Sequence, residues 1–432
     1  MKKTHKKKIL FFTLAFLILY INLYSQNETY FFTIPSNGIK VHILPDYNLP
    51  LAGFSIFYKG GASEEPKNKR GITNVIKYLM FMRTENLASD EFLFFFFNIG
   101  AKVDTQLTED YILFYEVFPA VYVNSVLWLE QERMRGLKFG ISDVERAKKL
   151  AISEIKIKNS DILSKIYKKI DLSISGGNNQ FATPVWGRVE DIRTINLDDV
   201  KNYYRKYFTL NQSSIIVTGP FNSKTLAKKI FSYFSKIRKP SIKPLSNSLF
   251  LNKTKVLFQI KPIGKTYIYS KVFILPLPKT LKEYLIYELL AKTFSSSLKG
   301  DIMKKLPASS NFDVRIRYTD NKAIIYTVLY SKNKLKVFKS KYILENTLKE
   351  LVSKRISDES FKTLVNTLLS NLLWKFQYRD ERLKEIAKYY SITNKMLLKE
   401  QFYYSLLRIN KLDLYREANN LLKNRGIKIE TK

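Results

Sequence analysis

The chain has 432 residues, 45% of them hydrophobic, enough for more than one core, and a net charge of +35. It has no cysteine, which excludes disulfides, thiolate metal sites and cysteine nucleophiles. Its only histidines are His5 and His42, so a zinc site of two or three imidazoles lacks its parts once the first segment is removed, and a Ser-His-Asp triad or a histidine acid–base pair would have to rest on His42 alone.

The first 26 residues read as a signal peptide or an N-terminal anchor. Five lysines precede an apolar run from Ile9 to Ile21, shorter than a helix that spans a bilayer. The expected location is therefore the periplasm, free or anchored, which argues against nucleic acid as a partner. The lysines of the body are dispersed rather than blocked, as in a solvated basic surface; attraction to an anionic membrane is the alternative.

TYFFTIPSNGIKVHILPDY predicts two strands joined at Ser36-Asn37-Gly38, with His42 in the second. LAGFSIFYKGG predicts a strand, and residues 71–84 a helix with Asn74, Lys77 and Tyr78 on one face. Ser89-Asp90 is the expected N-cap of EFLFFFFNIG, which Gly100 closes; Phe94–Phe97 are expected to be buried. KVDTQLTEDYILFYEVF then predicts strands, and VYVNSVLWLEQERMRG a helix. ISDVERAKKLAISEIKIK opens a long helix capped by Ser142 or Asp143, and its opening recurs 215 residues later as ISDESFKTLVNTLLSNLL. The Pro/Ser/Lys-rich stretch KIRKPSIKPLSNS lies between the copies. In both halves strands come first and helices cluster later. The reading is an α+β chain with two similar domains in tandem, 27–235 and 251–432, joined by a linker at 236–250. Each is expected to be a mostly antiparallel sheet with helices on one face.

These landmarks, in this order, resemble the insulinase, pitrilysin and mitochondrial-processing-peptidase family of zinc peptidases, whose active members carry H-x-x-E-H. NLPLAGFSIFYKGGASEEP resembles the strand and Glu-Pro turn before the motif helix, and NVIKY stands in the motif's place. NIGAKVDTQLTEDYILFY is similar to the strand at the substrate channel, which implies peptide contacts at Gly100, Ala101 and Asp104. Glu154 follows at the spacing of the third metal ligand. The resemblance implies two α+β halves that face each other, and it implies zinc in active relatives.

The departures from the motif remove that chemistry. The ligand places hold Asn74, Tyr78 and Glu154, and the base is replaced by Lys77. A phenol with a pKa near 10 must ionise to bind well, and a charged lysine cannot accept a proton. An ammonium beside a divalent cation costs about 4 kcal/mol per unit of like charge at about 4 Å and an effective dielectric near 20. No catalytic group and no metal are therefore expected, and Glu154 is expected to pair with Lys77. A plain amphipathic helix is the competing reading of 71–81.

The family's substrate-holding Arg…Tyr pair falls in SSSLKGDIMKKLPASSNFDV, with Leu298 or Lys299 at one place and Phe312 at the other. A lysine-rich loop followed by a core aromatic is the alternative there, and Ser296-Ser297 beside Lys299 is a weak serine–lysine pattern. The expectation is a non-catalytic, peptide-binding or regulatory subunit. Its partner would be a homologous zinc-peptidase subunit or a second copy. A peptidase with a non-standard metal set of Glu154, aspartates and His42, or a basic envelope protein on anionic lipid, are the alternatives.

Overall fold

The computed structural model describes residues 28–175, 182–237, 257–305, 311–319, 321–353, 356–423 and 426–431. The N-terminal segment and most of the expected linker lie outside them.

Six strands form the first sheet: β1 (Tyr30–Thr33), β2 (Lys40–Pro45), β3 (Leu51–Lys59), β4 (Lys102–Leu107), β5 (Tyr111–Pro119) and β6 (Ser213–Gly219). Their order is β1-β2-β6-β3-β5-β4, antiparallel except for β2 beside β6. The second sheet has β7 (Leu257–Ile260), β8 (Tyr267–Pro276), β9 (Asn311–Thr319), β10 (Lys322–Ser331) and β11 (Ile427–Thr431), in the order β7-β11-β8-β10-β9. With β1 set aside, the two orders coincide strand for strand. The one parallel pair, β7 with β11, recurs at the matching place. The tandem repeat is thus a repeat of topology, and the chain is an α+β protein in two halves.

Helices of the first half are α1 (Ile72–Leu79), α2 (Glu91–Asn98), α3 (Val123–Arg135), α4 (Ile141–Lys158), α5 (Ile162–Ile174), α6 (Val189–Thr194), α7 (Leu197–Tyr207) and α8 (Ser223–Phe234). Those of the second are α9 (Leu281–Lys305), α10 (Lys334–Ser353), α11 (Asp358–Gln377), α12 (Arg379–Thr393), α13 (Lys399–Leu407) and α14 (Lys411–Lys423). The repeated Ile-Ser-Asp opens α4 and leads into α11, but the caps differ. In α11, Ser357 accepts from the Ser360 N–H at 3.1 Å. In α4 the cap is Gly140, whose N–H donates to Asp143 at 2.8 Å.

Strand alternation explains the cores. In β3, Ala52, Phe54, Ile56 and Tyr58 face the first half's own helices, while Phe57 faces the other way. In β5, Ile112, Phe114 and Phe118 face inward, and Tyr111, Leu113 and Tyr115 face the opposite side. Both faces are apolar because both are covered. The opposite face is covered by α12, whose Leu383, Ile386, Ala387 and Tyr390 belong to the second half's core. Gly53 allows this approach: a Cβ there would stand 3.1 Å from Leu383 and 3.5 Å from Arg379. Arg379 and Arg382 both grip Asp46, which fixes the start of α12 on the first sheet.

The exchange is reciprocal. Ile166, Tyr167, Ile170 and Ile174 of α5 pack on Ile268, Val272, Ile324, Tyr326 and Val328 of the second sheet. Each buried side chain of this size contributes about 1.5–3 kcal/mol. Helices α5 and α12 each follow the long repeated helix of their own half, so they are counterparts. Besides its own helices on one face, each sheet thus receives one helix of the other half on its second face, and one body results.

Two local expectations are corrected. Phe92 and Phe96 of α2 are buried, but Phe94 and Phe97 are 65% and 80% exposed. Helical spacing presents only one stripe of a short helix to the core, whatever the run contains. Asp90 does not cap α2 with its side chain; its carboxylate is taken by Arg146 at 3.1 Å.

Candidate functional site

The site is built where α1 meets α4. Glu65 precedes α1 and is buried; its carboxylate accepts the Gly71 N–H at 2.8 Å and the Thr73 N–H at 2.9 Å. It thus satisfies the free donors of the helix start. Burial pushes the Glu65 carboxyl above its ordinary range even so. Gly71 (φ 104°) and Gly187 (φ 90°) touch back to back: a Cβ on Gly187 would lie 2.3 Å from the Gly71 Cα. These contacts set the axis of α1 against the 185–188 segment.

The polar face of α1 is not solvated, which separates it from an ordinary amphipathic helix. Asn74 is fully buried; its amide donates to the Trp186 carbonyl at 3.1 Å, and its Oδ1 has no donor. Lys77 is 8% exposed, and its Nζ donates to Glu154 Oε2 at 2.6 Å. The Tyr78 hydroxyl donates to the same oxygen at 3.3 Å, and Lys158 stands 3.8 Å from the other one. The Lys77 ammonium also lies 4.4 Å from the centre of the Tyr78 ring.

The electrostatics oppose metal binding. Burial lowers the Lys77 pKa from its ordinary 10.5, against the pull of Glu154. Burial, with Glu154 adding to it, pushes the Tyr78 phenol up to about 12, further from the phenolate a metal would need. The sole carboxylate of the set is engaged by an ammonium. The donors at the four motif places therefore do not fit a zinc ion.

His42 offers no alternative. It lies in β2 on the face turned toward α12, between the rings of Phe31 at 5.4 Å and Tyr390 at 5.6 Å. Both ring nitrogens are buried without a partner, and burial, with Lys40 nearby, holds its pKa near 4. The expected alternative set of Glu154, aspartates and His42 is thus not brought together. Among the described residues no group of three His, Asp or Glu side chains could hold a metal ion.

Lys77, Tyr78 and Glu154 face a cavity of about 740 Å³. Its floor is β4, the edge strand of the first sheet, and Asp104, Gln106, Arg146, Lys158 and Trp186 also line it. Asp104 accepts from the Tyr115 hydroxyl at 2.9 Å. Gly100 (φ 66°) ends α2, and Ala101 packs against the first core; both stand just before β4 rather than in the cavity wall. The second half contributes Arg315 of β9, the edge strand of its own sheet. Phe312 packs with Val314, Ile316 and Tyr318 on the second half's core, on the other face of β9 from Arg315, and does not line the cavity. Alternation along β9 separates the two positions, and a register shift of one residue hides it from sequence inspection. The side chains of Ser297 and Lys299 lie outside the described residues. Trp186 and Arg315 were not identified from the sequence; the aromatic before Gly187 and the Arg-x-Arg alternation of β9 are the signals that mark them.

A second buried cluster lies under the first sheet. Arg133 is fully buried between Glu116 and Glu130 and stacks over the Phe92 and Phe114 rings at 4.9 Å. Burial raises the pKa of both carboxyls. It faces α2 and α3 rather than the cavity, and its role is structural.

Residues 46–171 match the sequence profile described as Insulinase (Peptidase family M16), and residues 194–368 the one described as Peptidase M16 inactive domain. Among curated proteins, the chain is similar to the non-peptidase homolog YmxG of Helicobacter pylori, 26% identical over 200 residues, 45% of each chain. It is 21% identical over 198 residues to an uncharacterized zinc protease YmxG of Bacillus subtilis, 46% of this chain and 48% of that one. The matched stretch thus spans about half the length of these relatives. Two solved structures share the fold. A protease from Helicobacter pylori has a TM-score of 0.82 at 15% identity, over 94% of this chain and all of that one. The periplasmic protease PqqL of Escherichia coli has a TM-score of 0.75 at 16% identity, over 94% of this chain and 47% of that one.

Proposed function

Since the chain belongs to the insulinase family, peptidase family M16, and lacks the family's zinc motif, we propose that it is a non-catalytic, exported, peptide-binding or regulatory subunit. One observation carries the reading: an ion pair at 2.6 Å joins Lys77 and Glu154, the residues at the places where active relatives carry the base and the third metal ligand. The profile described as an inactive domain and the relative named a non-peptidase homolog point the same way.

The cavity supplies the binding half of the proposal. An extended peptide laid along β4 would complete the hydrogen bonds of that edge, with side chains directed toward α1 and β9. Gly100, Ala101 and Asp104 stand at or next to this path. The partner proposed is a homologous chain with an intact H-x-x-E-H. The length relation to PqqL supports pairing, because that chain is about twice the length of this fold. Export is supported by the lysine-rich start with its short apolar run, and by the periplasmic location in the description of PqqL. Among the described residues no helix is long and apolar enough to cross a membrane.

The test is affinity purification from the native organism with the tag at the C terminus. Recovery of a homologous zinc-peptidase chain in stoichiometric amount is expected. Recovery of a monomer that hydrolyses peptides and is stopped by a chelator would overturn the proposal.

A further inference from the structure

The cations around the cavity are held by carboxylates, with an exception on the side of the second half. Lys77 and Lys158 share Glu154. Arg146 holds both oxygens of Asp90, and Arg317 holds Asp171 and Glu109 at 2.7 Å each. Arg315 has no carboxylate within ion-pair reach among the described residues. Its guanidinium rests 5.1 Å from the centre of the Tyr167 ring. Asp313, on the same face of β9, takes the Tyr167 hydroxyl and leaves Arg315 free.

Arg315 stands at a junction. It lines the 740 Å³ cavity under Lys77 and also a neighbouring pocket of about 260 Å³ between β9 and α5. Gln106 and Trp186 are in the walls of both. Among the described residues, Gln106 Oε1 is a buried acceptor with no donor, and Trp186 Nε1 a buried donor with no acceptor. A peptide unit carries one of each. Lys168, in the smaller pocket, adds a second cation with no ion-pair carboxylate among the described residues. An unmatched planar cation, stacked on an aromatic ring and beside an unmatched donor and acceptor, is suited to a carboxylate carried on a peptide.

We infer that this junction selects an extended peptide by a carboxylate, from an acidic side chain or from the peptide's C terminus, with Arg315 as the anchoring residue. The inference rests on the peptide-binding reading above and adds the ligand's chemistry to it. Gln106 and Trp186 take the N–H and the carbonyl of one peptide unit, and the guanidinium takes the carboxylate on both of its oxygens.

The experiment is calorimetric titration of the full chain with four nonapeptides of Val and Thr: a central Glu or Gln, each with a free or an amidated C terminus. Loss of a charge-assisted hydrogen bond corresponds to about tenfold or more in affinity. The Glu peptides are expected to bind at least about tenfold tighter than the Gln peptides if a side chain is read; the free-acid peptides are tighter by that factor if the terminus is read. Arg315→Gln is expected to abolish the difference, and Arg315→Lys to keep part of it, since one ammonium lacks the two-pronged geometry. Equal, measurable binding of all four by the native chain overturns the inference and leaves the peptide-binding reading standing. Absence of saturable binding by all four overturns that reading as well. The native chain's ratios decide the matter even where a variant fails to fold.

Discussion

Replacing Glu154 by Gln keeps the shape of the side chain and leaves the buried Lys77 ammonium without its ion-pair partner, with only the more distant charge of Asp104 to offset it. Two unit charges about 4 Å apart at an effective dielectric near 20 interact by about 4 kcal/mol, and breaking a buried pair costs about 3–5 kcal/mol. Two features reduce that here: the Glu154 side chain is 22% exposed to screening water, and burial already lowers the Lys77 pKa, which weakens its hold on the proton. The expected loss for Glu154→Gln is therefore about 2 kcal/mol at neutral pH, read by urea unfolding followed by tryptophan fluorescence. Lys77→Met removes the costly charge and keeps the volume, so its expected loss is about 1 kcal/mol or less. The pH dependence has a definite sign. The folded chain holds the Lys77 pKa below 10.5, and loss of Glu154 lowers it further. Between that lowered value and 10.5 the unfolded chain binds more protons, so stability rises with pH. The deficit of Glu154→Gln should shrink as pH climbs toward 10.5. A loss within about 0.5 kcal/mol, ordinary for a surface change, or a deficit that does not vary with pH, refutes the reasoning.

His42 predicts an acid-side effect. Its folded pKa is held near 4 against 6.5, so stability is lost as pH falls from 6.5 toward 4, by up to about 3 kcal/mol. His42→Phe should remove that slope, which unfolding curves of both chains across the window will show. Ile170→Ala should cost about 2–5 kcal/mol and lower the stability of both halves in one transition, because α5 belongs to both. In α2, Phe96→Ala should cost about 3–5 kcal/mol and Phe97→Ala less than about 0.5, as measured by thermal unfolding.

The strands were legible because their alternation is strong: LAGFSIFYK and YILFYEVF read as strands and are β3 and β5. The repeat was legible from Ile-Ser-Asp at 141 and 356, and Glu154 from its distance to Tyr78. The exchange of α5 and α12 was not. An apolar stripe such as Ile166, Ile170 and Ile174 shows that a helix is buried but not which sheet buries it. The run Phe94–Phe97 misled for a related reason, since a two-turn helix turns only part of its surface inward. Arg315 went unidentified and Phe312 lies away from the cavity because alternate residues of β9 face opposite ways. The Lys77–Glu154 pair was expected from the family resemblance together with the chemistry of the two side chains, which stand 2.6 Å apart.

The account stands on the claim that Lys77 has taken the place of the metal. Elemental analysis of the purified full chain, dialysed in the presence of micromolar zinc, tests it most directly. The account predicts far less than one zinc ion per chain, unchanged in Glu154→Gln. One tightly held zinc per chain, lost on that substitution, would contradict it.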